Sequence, residues 1–252
     1  MNIGFIISSA IDLGENQNKG FNGIGVRSAF STQERLMQTQ FTLASINLLF
    51  PDAKKYIFDV GKNSKKYAEH LSYVKNLEFF SLEELDEKQA DLCLTSPSKG
   101  LCEATATHLF LQKKKDELKK YDFLIKISGR YYYTAFNKNF LSKNNLDKVL
   151  TKKIYKWEWK NSWRFPEFLK HTNDMLFWMP TTTYCIPQKC FENYTKSMQD
   201  IKNIYEENEH PDFQRIDFEC MMFHFLLKNK NFIETDWMCE GSGGQDKKLN
   251  PH

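Results

Sequence analysis

Residues 121–136, YDFLIKISGRYYYTAF, place two cations and a glycine at the end of an apolar run. Phe123, Leu124, Ile125 and Ile127 read as a buried strand. Lys126 and Arg130 are costly to bury unless something pairs with them. Gly129 lacks a Cβ and lets another group come close to the backbone. Together with Ser128 these residues suit an anionic ligand. The other arrangement has Arg130 on an internal carboxylate and Lys126 turned to solvent. A second set is Asp217 and Glu219, just before the apolar run Phe218 to Leu227. A carboxylate is one of the side chains able to act as a general base. Two residues apart they share a face on an extended entry but diverge on a helix, so one of them is aimed inward. Asp217 can instead cap that helix. A third set is Trp157, Trp159 and Trp163 in KWEWKNSWRF. Their faces suit stacking on sugar rings, while core packing or a membrane-facing lip are the plainer uses. His210 and Asp212 could join a metal site, but they are only two and scattered.

The elements that position these groups follow from patterning. Ile3 to Ala10 is a continuous apolar run ending in small polar residues, as for a buried strand feeding a loop. A Gly- and Asn-rich loop follows. Ser31 or Thr32 with Glu34 has capping chemistry for a helix whose apolar positions are Leu36, Phe41, Leu43, Ile46 and Leu49, and Pro51 stops it. Lys54 to Gly61 reads as a second strand ending in Asp59, Ser64 to Leu71 as a helix, and Asn76 to Leu82 as a third strand. KGLCEATATHLFLQKKKDELKKY reads as a long amphipathic helix leading into the strand at Phe123. Alternating strands and helices predict a mostly parallel sheet covered on both faces. Beyond residue 136 the pattern changes. A polar stretch is helical in part, DMLFWMPTTTYCIP holds one or two strands broken at Pro180, Phe218 to Leu227 is a helix, and a last strand leads to the Gly/Ser segment EGSGGQ. That segment is either a lid offering N–H groups to phosphate or a frayed tail. No repeat or linker divides the chain, so residues 1–252 read as one domain.

The composition bounds the rest. The 252 residues include 41% hydrophobic and 15% aromatic residues, which is globular. A net charge of +3 is too small to imply nucleic acid. The Lys-rich runs read as solvated faces, with a weak attraction to an anionic membrane as the alternative. The six cysteines form no CxxC pairs and no zinc spacing, and suggest reduced thiols in a cytoplasmic protein. No apolar run has transmembrane length and no signal peptide is recognisable. Membrane work, if any, is then peripheral.

In open α/β sheets, ligands bind beyond the carboxyl ends of the strands. Those ends are Ser8 and Ser9, Asp59, and Ser128 to Arg130. With STQERLMQTQFTLASI, YIFDVG, SKGLCEA, LIKISGRYY and the late DFE, the chain resembles bacterial glycosyltransferases of the GT-A fold that build lipopolysaccharide, lipooligosaccharide or capsule. The resemblance implies a Rossmann-like, mostly parallel mixed sheet with helices on both faces. It also implies a nucleotide-sugar-binding half over 1–135 and an acceptor-side half over 136–252. A sugar moves from a nucleotide-sugar donor to an oligosaccharide or lipid-linked glycan acceptor. Ser8, Arg35, Asp59, Lys126, Ser128, Gly129 and Arg130 fall at donor positions, Trp157, Trp159 and Trp163 at acceptor positions, and Asp217 or Glu219 at the base. Arg35 reads otherwise as ordinary helix surface and Asp59 as a turn residue. Where the family carries a metal-binding DxD, this chain has KISGR. No cofactor is therefore expected, and a divalent metal is the less favoured option. The alternatives are a sugar nucleotidyltransferase and a non-catalytic glycan- or nucleotide-binding partner.

Overall fold

A computed structural model describes residues 1–18, 28–158, 167–169, 175–207, 216–228, 231–242 and 249–251. Its strands are β1 (Ile3–Ser9), β2 (Lys54–Asp59), β3 (Leu77–Ser81), β4 (Phe123–Ser128), β5 (Tyr131–Ala135), β6 (Val149–Thr151), β7 (Tyr155–Glu158), β8 (Met175–Trp178), β9 (Thr183–Pro187), β10 (Phe232–Glu234), β11 (Met238–Ser242) and β12 (Leu249–Pro251). Its helices are α1 (Thr32–Leu49), α2 (Ser64–Glu69), α3 (Leu82–Leu85), α4 (Glu87–Thr95), α5 (Lys99–Leu118), α6 (Phe191–Glu207) and α7 (Phe218–Met222).

A seven-stranded sheet runs in the order β10-β6-β9-β4-β1-β2-β3. The pairs β1–β2, β1–β4, β2–β3 and β6–β10 are parallel. β9 is antiparallel to both β4 and β6 and is the reversed strand of this sheet. The sheet draws strands from both halves of the sequence. Alternate residues feed two cores, as the pleat requires. Phe5, Ile7, Phe123, Ile125 and Ile127 join Leu36, Leu43 and Ile46 of α1 on one face. Ile6, Leu124, Tyr184 and Ile186 join side chains of α5, α6 and α7 on the other. This is the α/β architecture expected, with helices on both faces.

Local chemistry accounts for the elements. The Ser31 side chain accepts from the Glu34 N–H, and the Glu34 carboxylate accepts from the Ser31 N–H, so the capping box of α1 forms. Ser98 caps α5 by accepting from the Leu101 N–H. Pro180 lies between β8 and β9, which form the two strands expected there. The apolar run after Asp217 is helical, but it passes from α7 into a π-helical turn over Phe223–Leu227. The polar stretch after residue 136 holds two single 3-10 turns rather than a longer helix. Features outside the sequence reading include the pair α3 and α4, the short β6, the splitting of the last expected strand into β10 and β11, and the 17-residue α6. A small sheet of β5, β11 and β12 takes up the tyrosines after Arg130. Tyr131 and Tyr133 are buried, while Tyr132 turns the other way and donates to Glu240. Among the described residues no helix is long and apolar enough to cross a membrane.

Candidate active site

The carboxyl end of β4 is locked to its neighbours. The Gly129 N–H donates to Ser8 O (2.8 Å) and the Ser128 N–H to Thr182 O (2.9 Å). Thr39 Oγ1 of α1 donates to Gly129 O (3.3 Å). A Cβ on Gly129 would lie 3.2 Å from Ser8 O and 3.3 Å from Thr39 Oγ1. The absent side chain therefore lets β4, β1 and α1 close on each other. Ser8 and Ser128 are cross-strand partners, both half-buried at the strand ends.

Lys126 is 2% exposed. Pleating puts it on the Leu124 side of β4, beneath α5. Its ammonium donates to Glu103 Oε1 (2.8 Å) and to Thr181 O (2.8 Å) and lies over the Tyr184 ring. The internal carboxylate thus goes to Lys126 and not to Arg130. Burial alone would push the Glu103 carboxyl up, but Lys126, Lys99 and Arg130 hold it below the usual range. Arg130 is half-buried and, among the described residues, has no ion-pair partner.

Glu219 is 8% exposed. Its Oε1 accepts from Thr181 Oγ1 at 2.9 Å and lies 4.0 Å from Lys99 Nζ. The Lys99 side chain is 43% exposed, and Glu219 raises its pKa. Asp217 occupies the N-cap position of α7, yet its carboxylate makes no capping hydrogen bond. Burial, then the charge of Glu219, pushes it up to about 6, with Lys99 opposing. An acid tuned to that range suits general base work near neutral pH. Lys99, Glu103 and Thr181 were not singled out in the sequence. The signal was there in part, since Lys99 and Glu103 stand four apart on one helix, inside SKGLCEA.

Two further expected residues are tied into the loops at the strand ends. Arg35 is buried; its Nε donates to Ala10 O and its Nη1 to Ser28 Oγ (2.8 Å), which ties α1 to the exit of β1. Asp59 is fully buried. Its Oδ2 accepts from the Ile11 N–H, and its Oδ1 from the Gly61 N–H and Ser64 Oγ. It organises the loops after β1 and β2. Trp157 lies on β7, which pairs antiparallel with β8, and Tyr155 and Trp178 stack edge to face across that pair at 5.5 Å. Trp159, Trp163, His210, Asp212 and the EGSGGQ residues after Ser242 lie outside the described residues.

At the carboxyl end of β4 this chain has Ser128, Gly129 and Arg130, which provide no carboxylate. Among the described residues no group of three or more His, Cys, Asp or Glu is placed to hold a metal.

No family model and no curated protein matches the chain. Solved structures do. WbbM, a bifunctional glycosyltransferase in apo form, is similar at a TM-score of 0.50 and 9% identity. That match covers 92% of this chain and 38% of WbbM. LgtC, a galactosyltransferase solved with donor and acceptor sugar analogues, gives 0.48 and 11% over 92% of this chain and 73% of that one. At such identity the WbbM likeness is one of fold, and the architecture is the mostly parallel α/β sheet flanked by helices that was expected.

Proposed function

We propose that this chain is a glycosyltransferase that moves a sugar from a nucleotide-sugar donor to a glycan acceptor. The observation that carries the reading is one cluster at the carboxyl edge of the central strands. Arg130 and Lys99 bring positive charge there, and Asp217 and Glu219 bring two carboxylates. The donor binds over Ser8, Ser128 and Arg130, with Arg130 and Lys99 neutralising the diphosphate. Lys126 acts one step behind, through Glu103 and Thr181. The acceptor hydroxyl attacks the anomeric carbon as its proton passes to Asp217. The bond from that carbon to the diphosphate oxygen breaks, and the nucleoside diphosphate leaves with the electron pair. In this reading the cations take the place of a DxD-bound metal. The aromatic pair on β7 and β8 supports a sugar acceptor. The resemblance makes that acceptor a growing bacterial surface glycan, met at the inner face of the inner membrane.

Thermal-shift measurement against UDP, GDP, CMP and dTDP sugars tests the proposal. One nucleotide class should raise the Tm, because a ligand that binds only the folded state stabilises it. That nucleotide sugar should then be hydrolysed slowly in EDTA. Absence of any stabilising nucleotide sugar would overturn the reading. Hydrolysis that stops in EDTA and returns with a divalent cation would overturn its metal-free part.

A further inference from the structure

We infer that Thr181 is a positioning residue that couples the buried Lys126–Glu103 pair to the carboxylates of α7. The inference deepens the transferase reading and rests on it for its catalytic meaning. Thr181 lies just before β9 and is 5% exposed. Its two polar oxygens face opposite ways along one chain of contacts. Its carbonyl accepts from Lys126 Nζ (2.8 Å), and its hydroxyl donates to Glu219 Oε1 (2.9 Å). The neighbouring Met179 N–H donates to the Glu219 carbonyl (3.2 Å). β9 is held in register by Thr183 Oγ1, which donates to Lys126 O (2.9 Å). Glu219 is thus clamped at both its side chain and its backbone by the segment leading into β9.

The clamp divides the labour between the two carboxylates. The hydrogen bond fixes where the Glu219 carboxylate stands. Burial first, and then the nearby charge of Glu219, raises the pKa of Asp217. The groups around Asp217 are Glu219 and Cys220 of α7, Lys99 of α5 and Tyr205 of α6. Those around Glu219 are Lys99, Asp217, Cys220, Tyr205 and Tyr131 of β5. Thr181 donates a neutral hydrogen bond to a Glu219 oxygen and is tied to β4 by its own carbonyl.

The test is carboxyl carbon-13 NMR titration of Asp217 in the full chain, in wild type, Thr181→Val and Thr181→Ser. Valine removes the donor that fixes Glu219, so its carboxylate is free to swing away from Asp217. The Asp217 midpoint should fall by about half a unit or more with valine and return with serine. With Glu219→Gln in place, Thr181→Val should shift Asp217 no further. An Asp217 midpoint unmoved by valine would overturn the inference, as would an equal shift in the Gln background. If valine prevents folding, the Ser and Gln variants still decide it, because Glu219→Gln must itself lower the Asp217 midpoint. Once a hydrolysed nucleotide sugar is identified, Thr181→Val should lower kcat about tenfold with KM unchanged and move the acid limb of the rate profile with the NMR midpoint. The titration needs no substrate. A chain that binds no nucleotide sugar but shows the shift sinks the transferase reading and keeps the coupling.

Discussion

Asp217 is held against its own ionisation. Its folded-state pKa is raised, so between the unfolded value and about 6 the folded protein binds more protons than the unfolded chain. Stability is therefore lost as the pH rises through that window. Asp217→Asn should remove this burden. We expect the variant to have a higher Tm than wild type at pH 8 and the difference to shrink at pH 4, while hydrolysis of the donor falls about 10²–10⁴-fold. A variant less stable than wild type at pH 8 would contradict the assignment. Lys126 makes the opposite case. Lys126→Met strands the Glu103 carboxylate, and urea unfolding should show a loss of about 3–5 kcal/mol. Adding Glu103→Gln should restore much of it. Part of this was legible in the sequence. Lys126 alternates with Leu124, so its face of the strand follows from the pleat. Its partner did not follow, because Glu103 is brought there by helix packing across 23 residues of chain. The sequence reading has Gly129 make room for phosphate; the groups close to it in the structure are Ser8 and Thr39, which only the folded sheet brings near.

At the scale of elements, α5 and α6 decide where the α7 carboxylates stand. Gly100 sits where any Cβ would collide with the Tyr205 hydroxyl. That hydroxyl donates to Ile216 O (2.8 Å), one residue before Asp217. Gly100→Ala should therefore push α6 away, cost about 1–3 kcal/mol and depress activity beyond the loss of stability. Activity equal to wild type at a temperature where both are folded would break this link. The N-terminus of α1 was readable because Ser31 and Glu34 stand at capping-box spacing. Ser31→Ala should cost about 1 kcal/mol in chemical denaturation. α6 was not read, although Tyr194, Met198, Ile201 and Tyr205 recur at helical spacing. Much of its buried face is tyrosine, threonine and serine, whose weak hydropathy hides the stripe. Tyr194 is held by a hydroxyl pair with Tyr184 (2.8 Å), a tertiary contact without a sequence signature.

Across the whole molecule, the two halves share hydrogen bonds. β9, from the second half, lies between β4 of the first and β6 of the second. Separate unfolding of the halves would have to tear that ladder. Urea unfolding followed by tryptophan fluorescence and by far-UV circular dichroism should give coincident curves. Two resolved transitions would mean that β9 contributes little to cohesion. The alternation of strands and helices up to residue 130 was legible because each apolar run is short and bounded. The order of strands in the second half was not, because β6, β9 and β10 are three to five residues long.

The reversal of β9 has a bearing on how such a chain diversifies. A parallel strand delivers its last residues to the binding edge, but a reversed one delivers its first. The segment feeding it, from β7 and β8 through Pro180, therefore arrives at the carboxyl edge of the central strands from outside the sheet. In the proposed transferase, lengthening that hairpin would change the acceptor side and leave the ladder of the sheet untouched.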